Sequence, residues 1–179
     1  MIICYILILI NILVFIMVNS GKIDVDDYCL SYYYVSVKKE YWRLITSSFV
    51  HESFYHLLLN MISLYNIYST LIYVYDSFTI LLMYLLTSVC GHIISITMRH
   101  NNQDDNTCSI GASGGICGLI GIFLIAAYLA FGREAISEIL RSMVSIVLVS
   151  IAPGVDGKSH ISCLAIGLVV GFILFRIMY

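Results

Sequence analysis

The chain has 179 residues, of which 60% are hydrophobic and 11% are charged, and its formal net charge is −2. Soluble domains carry roughly 25% charged residues, and a soluble core of this size could not bury so much apolar surface. The composition therefore excludes a soluble domain and a disordered chain, and the lack of a basic block argues against a nucleic-acid partner. We expect an integral membrane protein.

Six apolar stretches are long enough, or nearly so, to span a membrane as helices, which takes about 20 residues. They cover residues 1–18, 56–75, 77–97, 110–131, 135–152 and 159–179. We expect an all-α, six-span bundle that forms one domain over residues 1–179. No Lys or Arg occurs before Lys22 and no small-residue cleavage site follows the first stretch, so we expect an uncleaved span rather than a signal peptide.

Polar links separate the predicted spans, and most of them are short: residue 76 and residues 99–108, 132–134 and 153–158. The link over residues 21–55 is much longer, and it mixes charges with aromatic residues that include Tyr41 and Trp42. Tyr and Trp favour the headgroup level, and long loops are usually functional. We therefore expect this first loop to lie on or partly in the membrane.

Charge and cysteine patterns leave two questions open. If both ends of a six-span protein face the cytoplasm, most Lys and Arg residues lie on the opposite side, the reverse of the positive-inside rule. Cys29 and Cys108 lie in polar loops that can share one side of the membrane, so they either pair as a disulfide or remain free thiols. The other four cysteines fall in apolar runs, where a thiol acts as a small hydrophobe.

Ser113 lies near the start of the fourth predicted span, in the glycine-rich run IGASGGICGLIG of residues 110–121. Glycine costs helix stability, but spacings such as Gly114-x3-Gly118 let two helices approach backbone to backbone. Taken alone, this run has two interpretations. Ser113 is either one more small packing residue or a nucleophile in need of a base.

Histidine and asparagine side chains near other span ends favour the second interpretation. His160 opens the last predicted span above Gly167, so it could reach a serine at matching depth and act as its base. His56 and Asn60 are four residues apart, share a helix face, and could donate hydrogen bonds to an oxyanion. The alternatives are a capping histidine and interhelical hydrogen bonds, and we expect such a packing role for His92 and for Asn11.

Two other motifs do not fit. Residues 111–115 match G-x-S-x-G, but that nucleophile elbow needs a preceding strand, and none is predicted. His51 and His56 are five residues apart, about 140° around a helix, and so cannot share a zinc ion as an H-E-x-x-H pair does. We expect no metal ion and no cofactor.

The separated motifs together resemble those of the rhomboid intramembrane serine proteases, and the resemblance covers most of the chain. The matching residues are Trp42 and Arg43 for W-R, His51, His56 and Asn60 for H-x4-H-x3-N, Gly111, Ser113 and Gly114 for G-x-S-G, and His160 and Gly167 for H-x6-G.

The resemblance implies a catalytic dyad of Ser113 and His160, with His56, Asn60 and the Ser113 backbone N–H as oxyanion donors. It also implies structural support for the site from Trp42, Arg43, His51, Gly111, Gly114, Cys117 and Gly167. The family topology, which we follow over the charge count, puts both termini in the cytoplasm and the site toward the outside or lumen. Its partners are then membrane lipid and transmembrane protein substrates.

Two residues depart from the family pattern. Cys117 replaces an aromatic residue that commonly supports the histidine, and Cys163 stands where a glycine often lies, so we expect looser helix approach there. Neither change removes a reacting group. We expect an intramembrane serine endopeptidase; the alternative is a catalytically weak or inactive relative that binds transmembrane helices for trafficking or degradation. A transporter or channel is disfavoured because charges within the spans are nearly absent.

Overall fold

The computed structural model describes residues 1–134 and 156–178, which form a helical protein. Its long helices are α1 (Ile2–Asn19), α2 (Phe54–Leu71), α3 (Ser77–Asn101), α4 (Ser113–Phe131) and α5 (Gly157–Met178). Their ends differ from those of the corresponding predicted spans by at most four residues. The span predicted over residues 135–152 lies outside the described residues.

Four of these helices are long and apolar enough to cross a membrane: α1, α3, α4 and residues Gly157–Ile177 of α5. The helix α2 is as long as α1 but more polar, since it carries His56, Asn60 and Asn66. Several apolar helices in one chain make this a multi-pass integral membrane protein with an all-α fold.

The predicted polar link at residues 99–108 was wrong at its start, because α3 continues through Arg99 to Asn101. Arg99 is only 2% exposed, forms an ion pair with Asp156, and donates from Nη1 to the Thr107 carbonyl oxygen at 3.0 Å. A charged residue can extend a buried helix end when its charge is paired in this way.

The start of the fourth predicted span was also wrong, by three residues. Gly111 has φ +107°, a left-handed conformation that an α-helix does not contain, so α4 begins only at Ser113. In contrast, α5 begins earlier than predicted. The helix starts at Gly157 and includes two residues of the predicted preceding link.

The core lies between α2, α3 and α4, whose apolar side chains meet in the middle of the protein. Its largest fully buried side chains are Leu64, Ile67, Tyr68, Leu71, Ile80, Tyr84, Ile116, Leu119 and Ile122. In contrast, α1 buries only three residues, one of which is Asn11. The Asn11 amide donates to the Leu7 carbonyl oxygen at 2.8 Å, so its observed bond lies within α1 rather than between helices.

Glycine brings α4 and α5 into backbone contact. A Cβ atom on Gly167 would lie 2.1 Å from the carbonyl oxygen of Gly118, and one on Gly121 would lie 2.4 Å from that of Leu164. The looser approach expected at Cys163 is not observed. Gly91 of α3 lies against this thiol, where a Cβ atom would be 2.3 Å from the Cys163 sulfur. A glycine on the facing helix thus compensates for the missing one on α5.

The segment between α1 and α2 consists of short turns, among them the one-turn helix Arg43–Thr46. Arg43 is 4% exposed and organises this segment: its Nη1 donates to the carbonyl oxygens of Asp26 at 2.7 Å and Cys29 at 2.9 Å. Its Nε lies 2.5 Å from a Glu40 carboxylate oxygen, and its guanidinium stacks 3.8 Å from the centre of the Tyr34 ring. Trp42, in contrast, is exposed.

The same segment is tied to the chain that leads into α4. Leu30 and Ser109 exchange two backbone hydrogen bonds of 2.9 Å, and the neighbouring Cys29 and Cys108 form a disulfide, which resolves the alternative left open by the sequence. Further along, the Gly111 N–H donates to the Ser47 carbonyl oxygen at 2.9 Å. The approach to Ser113 is therefore fixed by contacts with a distant part of the sequence.

Candidate active site

Ser113 and His160 meet at one end of the helix bundle, although 47 residues separate them. Ser113 is the first residue of α4 and His160 lies in the first turn of α5. The Ser113 Oγ and the His160 Nε2 are 2.6 Å apart, so the hydroxyl can donate a hydrogen bond to the ring nitrogen. His160 is 7% exposed and Ser113 is partly exposed.

A sharp turn before α4 presents Ser113 to the site. Gly111 needs to be glycine for two reasons: its φ is +107°, and a Cβ atom there would lie 2.7 Å from the His56 Nε2. The next residue, Ala112, donates its N–H to the His51 Nε2 at 3.4 Å. Because the first N–H groups of an α-helix have no partner within the helix, Ser113 starts α4 with free backbone donors nearby.

His56 and Asn60 both lie beside this turn. A Cβ atom on Gly111 would have the His56 ring as its nearest neighbour, and it would lie 3.7 Å from the Asn60 Nδ2. Asn60 is 6% exposed and uses one amide hydrogen for a bond of 3.0 Å to the His56 carbonyl oxygen. A side-chain amide has a second hydrogen, which stays available for a ligand.

His51 is fully buried and supports the turn that precedes α4. Its ring packs edge-on against His56, with 4.9 Å between the ring centroids, and its Nε2 accepts from Ala112. Burial, reinforced by the neighbouring His56, lowers the pKa of His51 from 6.5 to about 3. The ring is therefore neutral at physiological pH, which an Nε2 acceptor requires.

This pKa predicts acid sensitivity that depends on His51. The unfolded state binds a proton below pH 6.5 and the folded state does not, so stability is lost as the pH falls from 6.5 toward 3. At pH 5 the loss is about 2 kcal/mol relative to pH 7.5. Thermal unfolding in detergent between pH 7.5 and 5 measures it, and the His51→Gln variant should show a smaller change over this range. Equal changes in both proteins would contradict the prediction.

Gly114 and His92 also line the site. A Cβ atom on Gly114 would lie 2.9 Å from the His92 Nε2 and 3.4 Å from the Ser159 hydroxyl oxygen. The His92 Nδ1 is 2.9 Å from the Leu44 carbonyl oxygen. From the sequence, His92 was assigned to a packing role because no partner side chain could be identified for it. That partner is a backbone atom, which no residue pattern reveals.

The other predicted supporting residues lie at different distances from Ser113. Cys117 is buried one helical turn further along α4, and Gly167 lies at the α4–α5 contact described above. Arg43 acts within the segment between α1 and α2, and Trp42 is 53% exposed. Of the predicted set, the structure gathers Ser113, His160, His56, Asn60, His51, Gly111 and Gly114 around one point.

A cavity of about 480 Å³ opens at the Ser113–His160 pair. Its lining includes several polar residues that the sequence analysis did not select: Glu52, Ser53, Ser109, Asp156 and Ser159. Asp156 comes directly before α5, where its carboxylate accepts from the Ser159 N–H at 3.1 Å. Burial opposes ionisation of this carboxyl, but the Ser109 hydroxyl and Arg99 more than offset it and hold its pKa below the usual value.

One group of potential metal ligands occurs among the described residues. It consists of Asp26, Cys29 and Cys108. The two cysteines are joined in the disulfide, so neither offers the thiolate that binds a metal.

The described helices and the Ser–His pair at their end define a multi-pass membrane protein with a cavity, lined in part by polar side chains, at one end of the bundle. Comparison with known proteins identifies its family. The Rhomboid domain profile matches residues 38–177, a range that contains every residue discussed above from Arg43 to Gly167. The chain therefore belongs to the rhomboid family.

The individual relatives share only a low sequence identity with this chain. RHOMBOID-like protein 4 of Arabidopsis thaliana is 31% identical over 142 residues, which cover 75% of this chain and 34% of the relative. RHOMBOID-like protein 5 of the same plant is 29% identical over 140 residues, covering 75% and 44%. Rhomboid protease GluP of Bacillus subtilis is 29% identical over 138 residues, covering 74% and 25%. The chain thus spans less than half the length of these relatives.

Proposed function

We propose that this protein is an intramembrane serine endopeptidase that cleaves transmembrane segments of other membrane proteins. The observation that carries the proposal is the 2.6 Å contact between the Ser113 Oγ and the His160 Nε2 inside a cavity at one end of the bundle. A serine becomes nucleophilic when an adjacent base can take its proton, and histidine is the usual base.

In the proposed reaction, the Ser113 Oγ attacks the carbonyl carbon of the scissile peptide bond while His160 takes the hydroxyl proton. The tetrahedral intermediate collapses to an acyl-enzyme as the C–N bond breaks, and His160 passes the proton to the leaving amine. Water then attacks the ester, again with His160 as base, and releases Ser113 and the new carboxyl end. No acidic third residue is needed for this proton transfer.

The negative charge that develops on the carbonyl oxygen needs donors. The Ser113 backbone N–H, the His56 ring and the second Asn60 amide hydrogen border the same turn at Gly111 and are proposed for this role. Donors of this kind are worth roughly 3–4 kcal/mol each in acyl transfer. His51, Gly111 and Gly114 are proposed to hold this arrangement, and Gly167 to keep α5 close to α4.

The substrate is proposed to be a transmembrane segment with small or helix-breaking residues near its cleavage site. A helix in lipid has its carbonyl groups hydrogen-bonded, so attack requires local unwinding. Ser113 and His160 both lie in the first turn of their helices, which favours water access from one membrane face. The proposed topology is a six-span domain over residues 1–179, with both termini cytoplasmic and residues 21–55 lying partly in the membrane.

Cleavage in proteoliposomes tests the proposal. The purified protein is reconstituted with a panel of reporter transmembrane segments that carry Gly or Pro near one face, and with matched all-leucine segments. We expect new fragments from the Gly- or Pro-containing reporters and none from the leucine controls. Recovery of intact reporters that co-purify with the folded protein would contradict it and favour a helix-binding protein without catalysis.

A further inference from the structure

The Asp156 carboxylate joins three segments of the chain next to the cavity. Its Oδ2 receives the hydroxyl of Ser109, in the loop that leads to α4, and the guanidinium of Arg99, at the end of α3. Its Oδ1 accepts from the Ser159 N–H at 3.1 Å, in the first turn of α5. One side chain thus contacts α3, α5 and the loop that leads to α4.

Arg99 is the counter-ion of Asp156 in this contact. It is 2% exposed, and besides the ion pair with Asp156 it donates to the Thr107 carbonyl oxygen at 3.0 Å. A guanidinium offers several donors in a fixed plane, so Arg99 can hold the carboxylate and the loop backbone at once. Each partner depends on the other, because the buried Arg99 guanidinium or the largely buried Asp156 carboxylate would alone be left without a counter-ion.

Asp156 also contacts the segments that carry Ser113 and His160. The Asp156 carbonyl oxygen accepts from the His160 N–H at 3.1 Å, so Asp156 fixes the turn that carries the histidine by both its backbone and its side chain. Ser109, bound to the same carboxylate, lies four residues before Ser113. Asp156 therefore links His160 to Ser113 by a route that does not pass through their own hydrogen bond.

We propose that Asp156, with Arg99 as its counter-ion, is a positioning residue that sets His160 at proton-transfer distance from Ser113. The proposal rests on the proposed peptidase function. Asp156 does not act on the substrate. It holds the first turn of α5 against the loop that presents the nucleophile, so its loss should lower the rate of the chemical step more than it weakens substrate binding.

The test compares Asp156→Asn, Arg99→Gln and the double variant in the full-length protein. The readouts are kcat and KM on a cleaved reporter, the rate at which a fluorophosphonate labels Ser113, and thermal unfolding in detergent. We expect each single variant to lose about tenfold or more in kcat and in labelling rate, with KM changed less than about threefold. Ser109→Ala keeps both charges and serves if a charge variant fails to fold; we expect a smaller loss in kcat.

The double variant separates positioning from simple stability. It leaves no buried charge unpaired, so its unfolding temperature should return toward that of the wild type, while kcat should stay low because the contact is still missing. Recovery of both the unfolding temperature and kcat would overturn the proposal, since the ion pair would then matter only for folding.

The chain offers a matched control, an ion pair between α5 and the same loop that contains Ser109. Lys158 of α5 lies 3.8 Å from the Asp104 carboxylate of the loop, but both side chains are more than a third exposed. Exposed pairs contribute little, so Asp104→Asn and Lys158→Gln should keep wild-type kcat. An inactive wild type would contradict the peptidase function itself, whereas an active wild type with an equally active Asp156→Asn variant would overturn only the positioning role.

Discussion

Replacing Ser113 by alanine, or His160 by asparagine, should lower kcat/KM for reporter cleavage by about 10⁴-fold or more. Without the Ser113 Oγ, no acyl-enzyme can form. Without the His160 imidazole, whose Nε2 lies 2.6 Å from the Oγ in the wild type, no base takes the hydroxyl proton. Because the two side chains act as one unit, the double variant should lose no more than either single variant. Initial rates in proteoliposomes measure all three.

Two substitutions of the same types serve as controls. Ser162→Ala changes a buried serine of α5 that contacts the Met98 sulfur, and His100→Asn changes an exposed histidine that pairs with Asp105 at 2.9 Å. Neither residue lines the cavity, so both variants should cleave at close to the wild-type rate. Full activity of Ser113→Ala would exclude Ser113 as the nucleophile.

The Gly167→Ala variant should lose both stability and activity. The new Cβ atom would lie 2.1 Å from the Gly118 carbonyl oxygen, a backbone atom that can move only with α4. Overpacking of this kind typically costs about 1–3 kcal/mol, and here it separates the two helices that carry Ser113 and His160. Thermal unfolding in detergent and kcat/KM on a reporter measure the two effects.

Gly157→Ala in the same helix is the control. A Cβ atom at Gly157 meets nothing within 4 Å, and alanine is the better helix former, so this variant should be as stable as the wild type or slightly more so. If Gly167→Ala matched Gly157→Ala in unfolding temperature and in activity, the backbone contact between α4 and α5 would have no role in the site.

Much of the helical fold was predictable because apolar length decides which segments can enter a membrane. The helices α1, α3, α4 and α5 correspond to predicted spans, and the histidine and asparagine of α2 share a face because they are four residues apart. The meeting of Ser113 and His160 was expected from depth and glycine spacing, and the structure places them in hydrogen-bond contact.

The polar contacts around the site were not predictable in the same way. Arg99 and Asp156 are 57 positions apart, in two separate links as predicted from the sequence, and nothing in their local sequence indicates that they pair. His92 binds a backbone carbonyl oxygen, which carries no sequence signature. Cys29 and Cys108 could be assigned to one side of the membrane but not to each other until the Leu30–Ser109 pairing brought them together. Contacts between links depend on how the helices pack, which apolar periodicity alone does not determine.

Labelling with a fluorescent fluorophosphonate, followed by peptide mapping, tests the proposed Ser–His chemistry most directly, because it requires no knowledge of the substrate. The reagent reacts with a serine whose proton an adjacent base removes. We expect the wild-type protein to be labelled on Ser113, and the Ser113→Ala and His160→Ala variants to remain unlabelled. A folded wild type that stays unlabelled, or a label on another residue, would contradict a catalytic Ser113–His160 dyad.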